Sequence, residues 1–326
     1  MKERLAARIL PVDAMTVLFI LANIAFVALA RDAIPEPGSI VVGYLICLVV
    51  TVVVVASGGT ERYRQRSTGC MAFLRWFHGL ARQAYPLAFF AFFFVAVTRF
   101  DNVIFRNDLD PVFAAIDRAL FGSVPSEWLM VRFESYLLSE LFHGAYVVYY
   151  LSIPGLALWL YVKDRSALPE YMITVTLLFY AACLTYAILP VVGARFDPAT
   201  RALAEAYRFG PFTRIMAFVY RSSAHLGAAF PSTHVTISLV IALVARRRAR
   251  PLARLLAVNA GLVMAATIYC GYHYFVDILG ALVYVAALYP AALRLAGWRR
   301  ERDNDVVGRR RATAKGMSNK PPRNDA

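Results

Sequence analysis

A chain of 326 residues that is 60% hydrophobic, with a mean hydropathy of +0.55, is too apolar for an ordinary soluble domain, in which about 45–50% is usual. The formal charge of +14 is carried in short clusters between apolar runs, which makes nucleic-acid binding the poorer reading and charge-directed membrane topology the better one. The four cysteines, Cys47, Cys70, Cys183 and Cys270, have neither close pairing nor metal-type spacing, so neither a disulfide scaffold nor a zinc site is indicated.

A hydrocarbon core about 30 Å thick needs about 20 mostly apolar residues per helical crossing. Eight segments qualify: 12–30, 39–56, 84–98, 136–162, 169–190, 231–245, 252–270 and 274–293. The third is short and is expected to extend back through Phe73–Leu80. The first follows Lys2, Arg4 and Arg8 and ends Ala28-Leu29-Ala30, which resembles a signal-peptidase site. Its length suits an uncleaved anchor, and both readings leave Arg31 on the outer side.

With the N-terminus inside, the cytoplasmic segments hold 25 of the 35 lysines and arginines. This positive-inside bias predicts both termini in the cytoplasm and an even number of spans. The fold expected is an all-α polytopic membrane helix bundle with about eight transmembrane helices. Three regions are expected: two additional N-terminal membrane helices and a basic cytoplasmic loop over 1–83, a six-helix core over 84–296, and a basic, disordered cytoplasmic tail over 297–326.

Two outer loops stand out. Segment 99–135 places Asp108, Asp110, Asp117 and Arg118 among Phe113, Ala114, Leu120 and Phe121, and reads as an amphipathic helix at the interface. Loop 191–229 holds Arg195, Arg201, Arg208, Arg214 and Arg221 against only Asp197 and Glu205, a local reversal of the topology rule. Binding an anionic group there is one explanation.

The chemistry-bearing residues lie at the mouths of late spans. His273 and Asp277 are four apart, so on a helix they share one face. A carboxylate inside a membrane helix costs about 2.5–3.5 kcal/mol and needs a reason to be there. Fixing a histidine tautomer is one reason, a structural polar pair another. In Phe230-Pro231-Ser232-Thr233-His234, Pro231 suits a first helical turn, so Ser232, Thr233 and His234 would sit at a positive helix end suited to phosphate. On topology alone, His234 and His273 open inward-running helices at the same outer face, although 39 residues separate them. Arg195 follows the fifth span at that depth and can grip phosphate in a bidentate fork, or serve as an interfacial anchor. Tyr272, Arg221 and His225 are candidate flanking contacts, the last two also readable as solvated loop residues. His78 and His143 lack comparable partners.

These segments resemble motifs of the type 2 phosphatidic acid phosphatase superfamily. Pro231-Ser232-Thr233-His234 is similar to the family's Pro-Ser-x-His motif. His273-Tyr274-Phe275-Val276-Asp277 is similar to its final His-x-x-x-Asp motif, with wording especially like the branch that includes inositol phosphorylceramide synthase. The resemblance covers about 84–293. It implies a nucleophilic His273 that forms a phosphohistidine, an orienting Asp277, a general acid–base His234, a phosphate-binding Arg195, and no metal or other cofactor. Two departures accompany it. Ile188 stands where the family's first motif has a lysine, and Ala266-Thr267 stand where its third has Ser-Arg, leaving a less basic phosphate pocket.

The function expected is therefore a membrane lipid phosphatase or phosphotransferase. It would cleave a phospholipid and pass the phosphoryl-containing group to water or to a lipid alcohol, with no nucleic-acid partner. Hydrolase and transferase share the covalent step and stay open here. A transporter or scaffold using the histidines and aspartate as polar contacts is the alternative. It would be expected to place ionisable groups near the midplane.

Overall fold

The computed structural model describes residues 9–57, 69–206, 210–223 and 227–318. The basic segments 1–8 and 58–68, Arg208, His225 and the chain end from 319 lie outside the described residues. The described residues are all-helical, without strands. In chain order the thirteen helices are α1 (Pro11–Leu29), α2 (Pro37–Ala56), α3 (Cys70–Ala84), α4 (Pro86–Val97), α5 (Asp110–Phe121), α6 (Pro125–Arg132), α7 (Tyr136–Lys163), α8 (Leu168–Tyr186), α9 (Pro198–Ala206), α10 (Pro211–Ser223), α11 (Thr233–Arg248), α12 (Arg250–Tyr269) and α13 (Phe275–Ser318).

Among the described residues, seven helices are long and apolar enough to cross a membrane, which makes this an integral membrane protein. The expected eighth, α11, is corrected by its length: sixteen residues rise about 24 Å, and its last turn is Arg246-Arg247-Arg248. Ala249 alone joins it to α12, and its start meets the start of α13, so α11, α12 and α13 still run up, down and up.

The third span is also redrawn. Pro86 has no amide hydrogen to continue a helix, and the chain divides there into α3 and α4. The candidate span runs forward from Pro86 to Val103, not back through Phe73–Leu80. α3 is instead an amphipathic helix whose Phe73, Trp76 and Phe77 are exposed. At the other end, the backbone of α13 stays helical to Ser318, past position 297 where a disordered tail was expected. No proline interrupts residues 291–320, and the stretch is rich in arginine and alanine, both good helix formers.

α8 is the axis of the bundle. Fourteen of its nineteen residues are buried, and it packs against α13, α11, α4 and α1. α2 shows the opposite case. It is apolar all round, yet only Ile40, Tyr44, Cys47 and Thr51 are buried, one stripe at helical spacing. Its other faces suit lipid. Aromatic stacking ties the first helices to the centre: Phe19 lies 4.3 Å from Tyr180, and Phe90 lies 3.9 Å from Phe179. α1 is also pinned by charge. Asp13 accepts from both terminal guanidinium nitrogens of Arg82 (2.9 and 2.6 Å) and from the Tyr85 hydroxyl (3.1 Å). Removing one member of a buried pair of this kind typically costs about 3–5 kcal/mol, because the other charge is left uncompensated.

Candidate active site

The site forms where the starts of α11 and α13 meet the tyrosine-bearing face of α7. Ser232 is the N-cap of α11, its hydroxyl accepting from the Val235 amide at 3.4 Å. Pro231 therefore sits just outside the helix and not in its first turn as the sequence suggested; its carbonyl accepts from the Tyr186 hydroxyl at 2.7 Å.

The turn that presents His273 is held by one carbonyl. Thr267 O accepts from the Tyr272 and His273 amides, both at 3.0 Å, while Gly271 takes φ +68° to reverse the chain. α13 begins only at Phe275, so His273 and Asp277 are not a pair along one helix face. Asp277 instead reaches back from the third helical position, accepting from the Tyr274 amide (3.0 Å) and from His273 Nδ1 (3.1 Å) through the same oxygen, Oδ2. Half of a capping box thus doubles as the histidine's anchor.

These contacts fit one chain of tautomers. An ionised Asp277 can only accept, which puts the His273 proton on Nδ1 and leaves Nε2 with a lone pair. Ser232 Oγ and His234 Nδ1 both converge on that Nε2, at 3.2 and 3.3 Å. His234 then carries its own proton on Nδ1, and its Nε2 accepts from the Tyr150 hydroxyl at 3.1 Å. Tyr146, Tyr149 and Tyr150 surround the His234 ring, with centroids 5.0, 5.3 and 5.9 Å away. His273 and Asp277 are buried and His234 half-buried. An imidazole so placed can act as nucleophile or as general acid and base.

Arg195 stands in a short turn after α8, its guanidinium 3.8 Å above the Tyr220 ring and 5.8 Å from that of Tyr272. Gly193, two residues earlier, takes φ +100°, and a Cβ there would come within 2.7 Å of the Tyr272 carbonyl. The Arg195 turn and the His273 turn are therefore packed backbone to backbone, which only glycine permits.

Arg195, Arg221 and Tyr272 also line a cavity of about 330 Å³, together with Ser139, His143 and Tyr220. One wall, α10, is fixed to α7 by Glu140, which accepts from the Phe212 and Thr213 amides (2.9 and 3.0 Å) and the Thr213 hydroxyl. Burial raises the pKa of the Tyr220 hydroxyl and of the Cys270 thiol in this wall. Arg221, read as an alternative solvated loop residue, belongs to the last turn of α10. Of the two positions that depart from the family motifs, Ile188 is exposed on the outside of the bundle, and Ala266-Thr267 are buried beneath the His273 turn.

Residues outside the motifs complete the site. The tyrosines of α7 were legible only as an unusual Tyr146-Val-Val-Tyr149-Tyr150 run in a span. His143, dismissed for want of partners, lines the cavity, its Nδ1 2.7 Å from the Ser139 carbonyl. α5 contributes two carboxylates seven residues apart, on one face. Asp110 accepts from the Val192 and Gly193 amides, both at 2.8 Å. Asp117 accepts from Phe275 and Val276 (2.9 and 3.4 Å), the otherwise unpaired amides that open α13. Burial raises both pKa values, and the amide hydrogen bonds work in the opposite direction. α5 thereby holds the Arg195 turn and the His273 helix in register.

Replacing Asp117 with alanine is expected to cost about 1–2 kcal/mol of stability through the lost cap and to lower turnover about tenfold or more. Asp117→Asn, which keeps one acceptor oxygen, should fall between. Thermal melts and turnover in detergent check this, and a fully active Asp117→Ala protein would remove α5 from the site.

Among the described residues, no group of three or more His, Cys, Asp or Glu side chains could hold a metal ion. A family model described as the PAP2 superfamily matches residues 112–291, more than half of the chain. No curated protein and no solved structure matches it.

Proposed function

The chain belongs to the PAP2 superfamily, and from that premise we propose that it cleaves a phosphate ester of a membrane lipid through a phosphohistidine on His273. Membership implies phosphatase- or phosphotransferase-type activity on phosphate esters. The observation that carries the finer reading is the ordered chain from Tyr150 through His234 and His273 to Asp277.

In this reading an entering phosphoryl group replaces the contact between His234 and His273. Nε2 of His273 attacks phosphorus, and the bond from phosphorus to the leaving oxygen breaks. His234 delivers its Nδ1 proton to that oxygen. Asp277 offsets the positive charge that the attacked imidazole acquires. In the second half, His234 takes a proton from water or from an acceptor alcohol, the new oxygen bonds to phosphorus, and the bond to His273 breaks. Arg195 holds phosphoryl oxygens, fixed in plane by Tyr220 and Tyr272. Ser232 and Thr233 at the start of α11 complete the phosphate seat. All bond changes balance without a metal, so a chelator is expected to leave the rate unchanged.

The His-Tyr-Phe-Val-Asp wording favours a specialised, inositol phosphorylceramide synthase-like transferase over a general phosphatase, and the charge distribution favours a site on the outer face with cytoplasmic termini. A transporter or scaffold would have no use for one histidine anchored by a buried carboxylate on one ring nitrogen and turned toward a second histidine on the other. The test is purified protein given mixed phospholipids with ceramide or diacylglycerol acceptors, read by mass spectrometry. Free phosphate or a phosphoalcohol identifies a hydrolase, and a new phospholipid identifies a transferase. A complete absence of products across the panel would sink the reading.

A further inference from the structure

Tyr146 is a buried polar group beside the histidines that the proposed cycle does not use. It is 0% exposed and stands on α7 one helical turn before Tyr150. Its hydroxyl has no hydrogen-bond partner among the described residues. A buried hydroxyl in that condition is the exception in folded proteins, because its bonds to water are lost and not replaced. Tyr171 and Tyr186 on α8 show the usual outcome. Their hydroxyls donate to the Ile153 and Pro231 carbonyls at 2.8 and 2.7 Å.

The position of Tyr146 gives the missing partner a chemistry. Its ring meets His234 on one side and Tyr272 on the other, both centroids 5.0 Å away and steeply inclined, at 64° and 88°. The proton-transferring imidazole and a ring that flanks Arg195 are therefore its direct neighbours. Met216, Ala266 and Cys270 pack around it as well. The polar side chains that act most strongly on its hydroxyl are Tyr220, Cys270, Tyr272 and Tyr150. The first three line the cavity beside the histidines, so the polar end of Tyr146 is turned toward the reacting space and not toward lipid.

We propose that Tyr146 is a further substrate-contacting residue, its hydroxyl donating to an oxygen of the phosphoryl group that His273 attacks. This deepens the phosphohistidine reading and rests on it. His234 and Arg195 handle that group in the proposed cycle, and Tyr146 adjoins both His234 and the ring beside Arg195. A phenol suits the place, because its hydrogen bond to an anionic oxygen is charge-assisted while the side chain itself brings no charge into a buried wall. The substrate oxygen supplies the partner that the fold does not.

Tyr146→Phe keeps the ring and removes only the hydroxyl. In purified full-length protein the variant is expected to melt at the wild-type temperature or slightly above it, because no bond within the fold is lost. Tyr171→Phe, which removes a paired hydroxyl, should melt lower and sets the scale. On a phospholipid that the wild type cleaves, Tyr146→Phe should nonetheless lose about 10- to 100-fold in kcat/KM. Orthovanadate, a mimic of the phosphoryl group, should raise its melting temperature less than it raises that of the wild type. Both losses are required: wild-type turnover or a wild-type response to vanadate overturns the proposal. A variant destabilised as much as Tyr171→Phe also overturns it, since the hydroxyl then serves the fold, and so does a wild type that vanadate does not stabilise. Failure of radiolabelled substrate to mark His273 would instead count against the phosphohistidine reading, and the vanadate response of Tyr146→Phe would still judge the hydroxyl.

Discussion

Alanine at His273 is expected to abolish turnover, by at least about 10⁴-fold, with the fold retained. The imidazole supplies the only nucleophile in the proposed cycle, and the neighbouring groups can then assist no more than a direct attack by water. The change removes a buried ring but leaves the turn itself, which is held by backbone bonds to the Thr267 carbonyl. Asp277→Asn probes the same step with less disruption. An amide at 277 can donate to His273 Nδ1, which would place the imidazole proton on Nε2, where the lone pair is needed. A loss of about 10²- to 10⁴-fold in kcat is expected. Acid-labile labelling of the wild type by a radiolabelled phospholipid, absent from His273→Ala, is the direct readout. If both variants turned over a phospholipid panel at the wild-type rate, the mechanism would be wrong.

Loss of the His234 side chain should produce a different signature. As general acid it should matter most when the leaving oxygen is a poor leaving group, so His234→Ala is expected to slow cleavage of an alkyl phosphate ester about 10²- to 10⁴-fold. A p-nitrophenyl ester leaves without protonation, and its first step should be affected far less. The second half-reaction still needs a base, so the phosphohistidine should accumulate, visible as a burst of nitrophenol followed by slow turnover. Equal losses on both esters, with no burst, would show that His234 acts through structure alone. Tyr150 offers a graded control: Tyr150→Phe removes the hydroxyl from His234 Nε2 while keeping the ring. A smaller loss with the same leaving-group trend should result.

α1, α2, α7, α8, α12 and α13 were legible as long apolar runs because span length is a local property, set by bilayer thickness and read from consecutive residues. The boundary at Pro86 was less legible, because the residues on both sides of a proline break look apolar in a hydropathy reading. The three candidate catalytic residues were also legible, because motif spacing and helix order are written along the chain. The sequence reading placed His234 and His273 at a common depth, and the structure puts their ring nitrogens 3.3 Å apart.

What the sequence by itself determined about this protein is its class: an all-helical membrane chain, its basic residues sorted by loop, with paired histidine motifs at helix mouths. What only the tertiary structure decided is how those mouths are held. Tyr150 reaches His234 across 84 residues, and Asp117 caps the helix of Asp277 across 158. Glycine at 193 lets two turns touch. The Arg201 and Arg221 walls meet around one cavity. Such contacts depend on how helices pack in three dimensions, and no periodicity within a single segment encodes which distant segment will lie beside it.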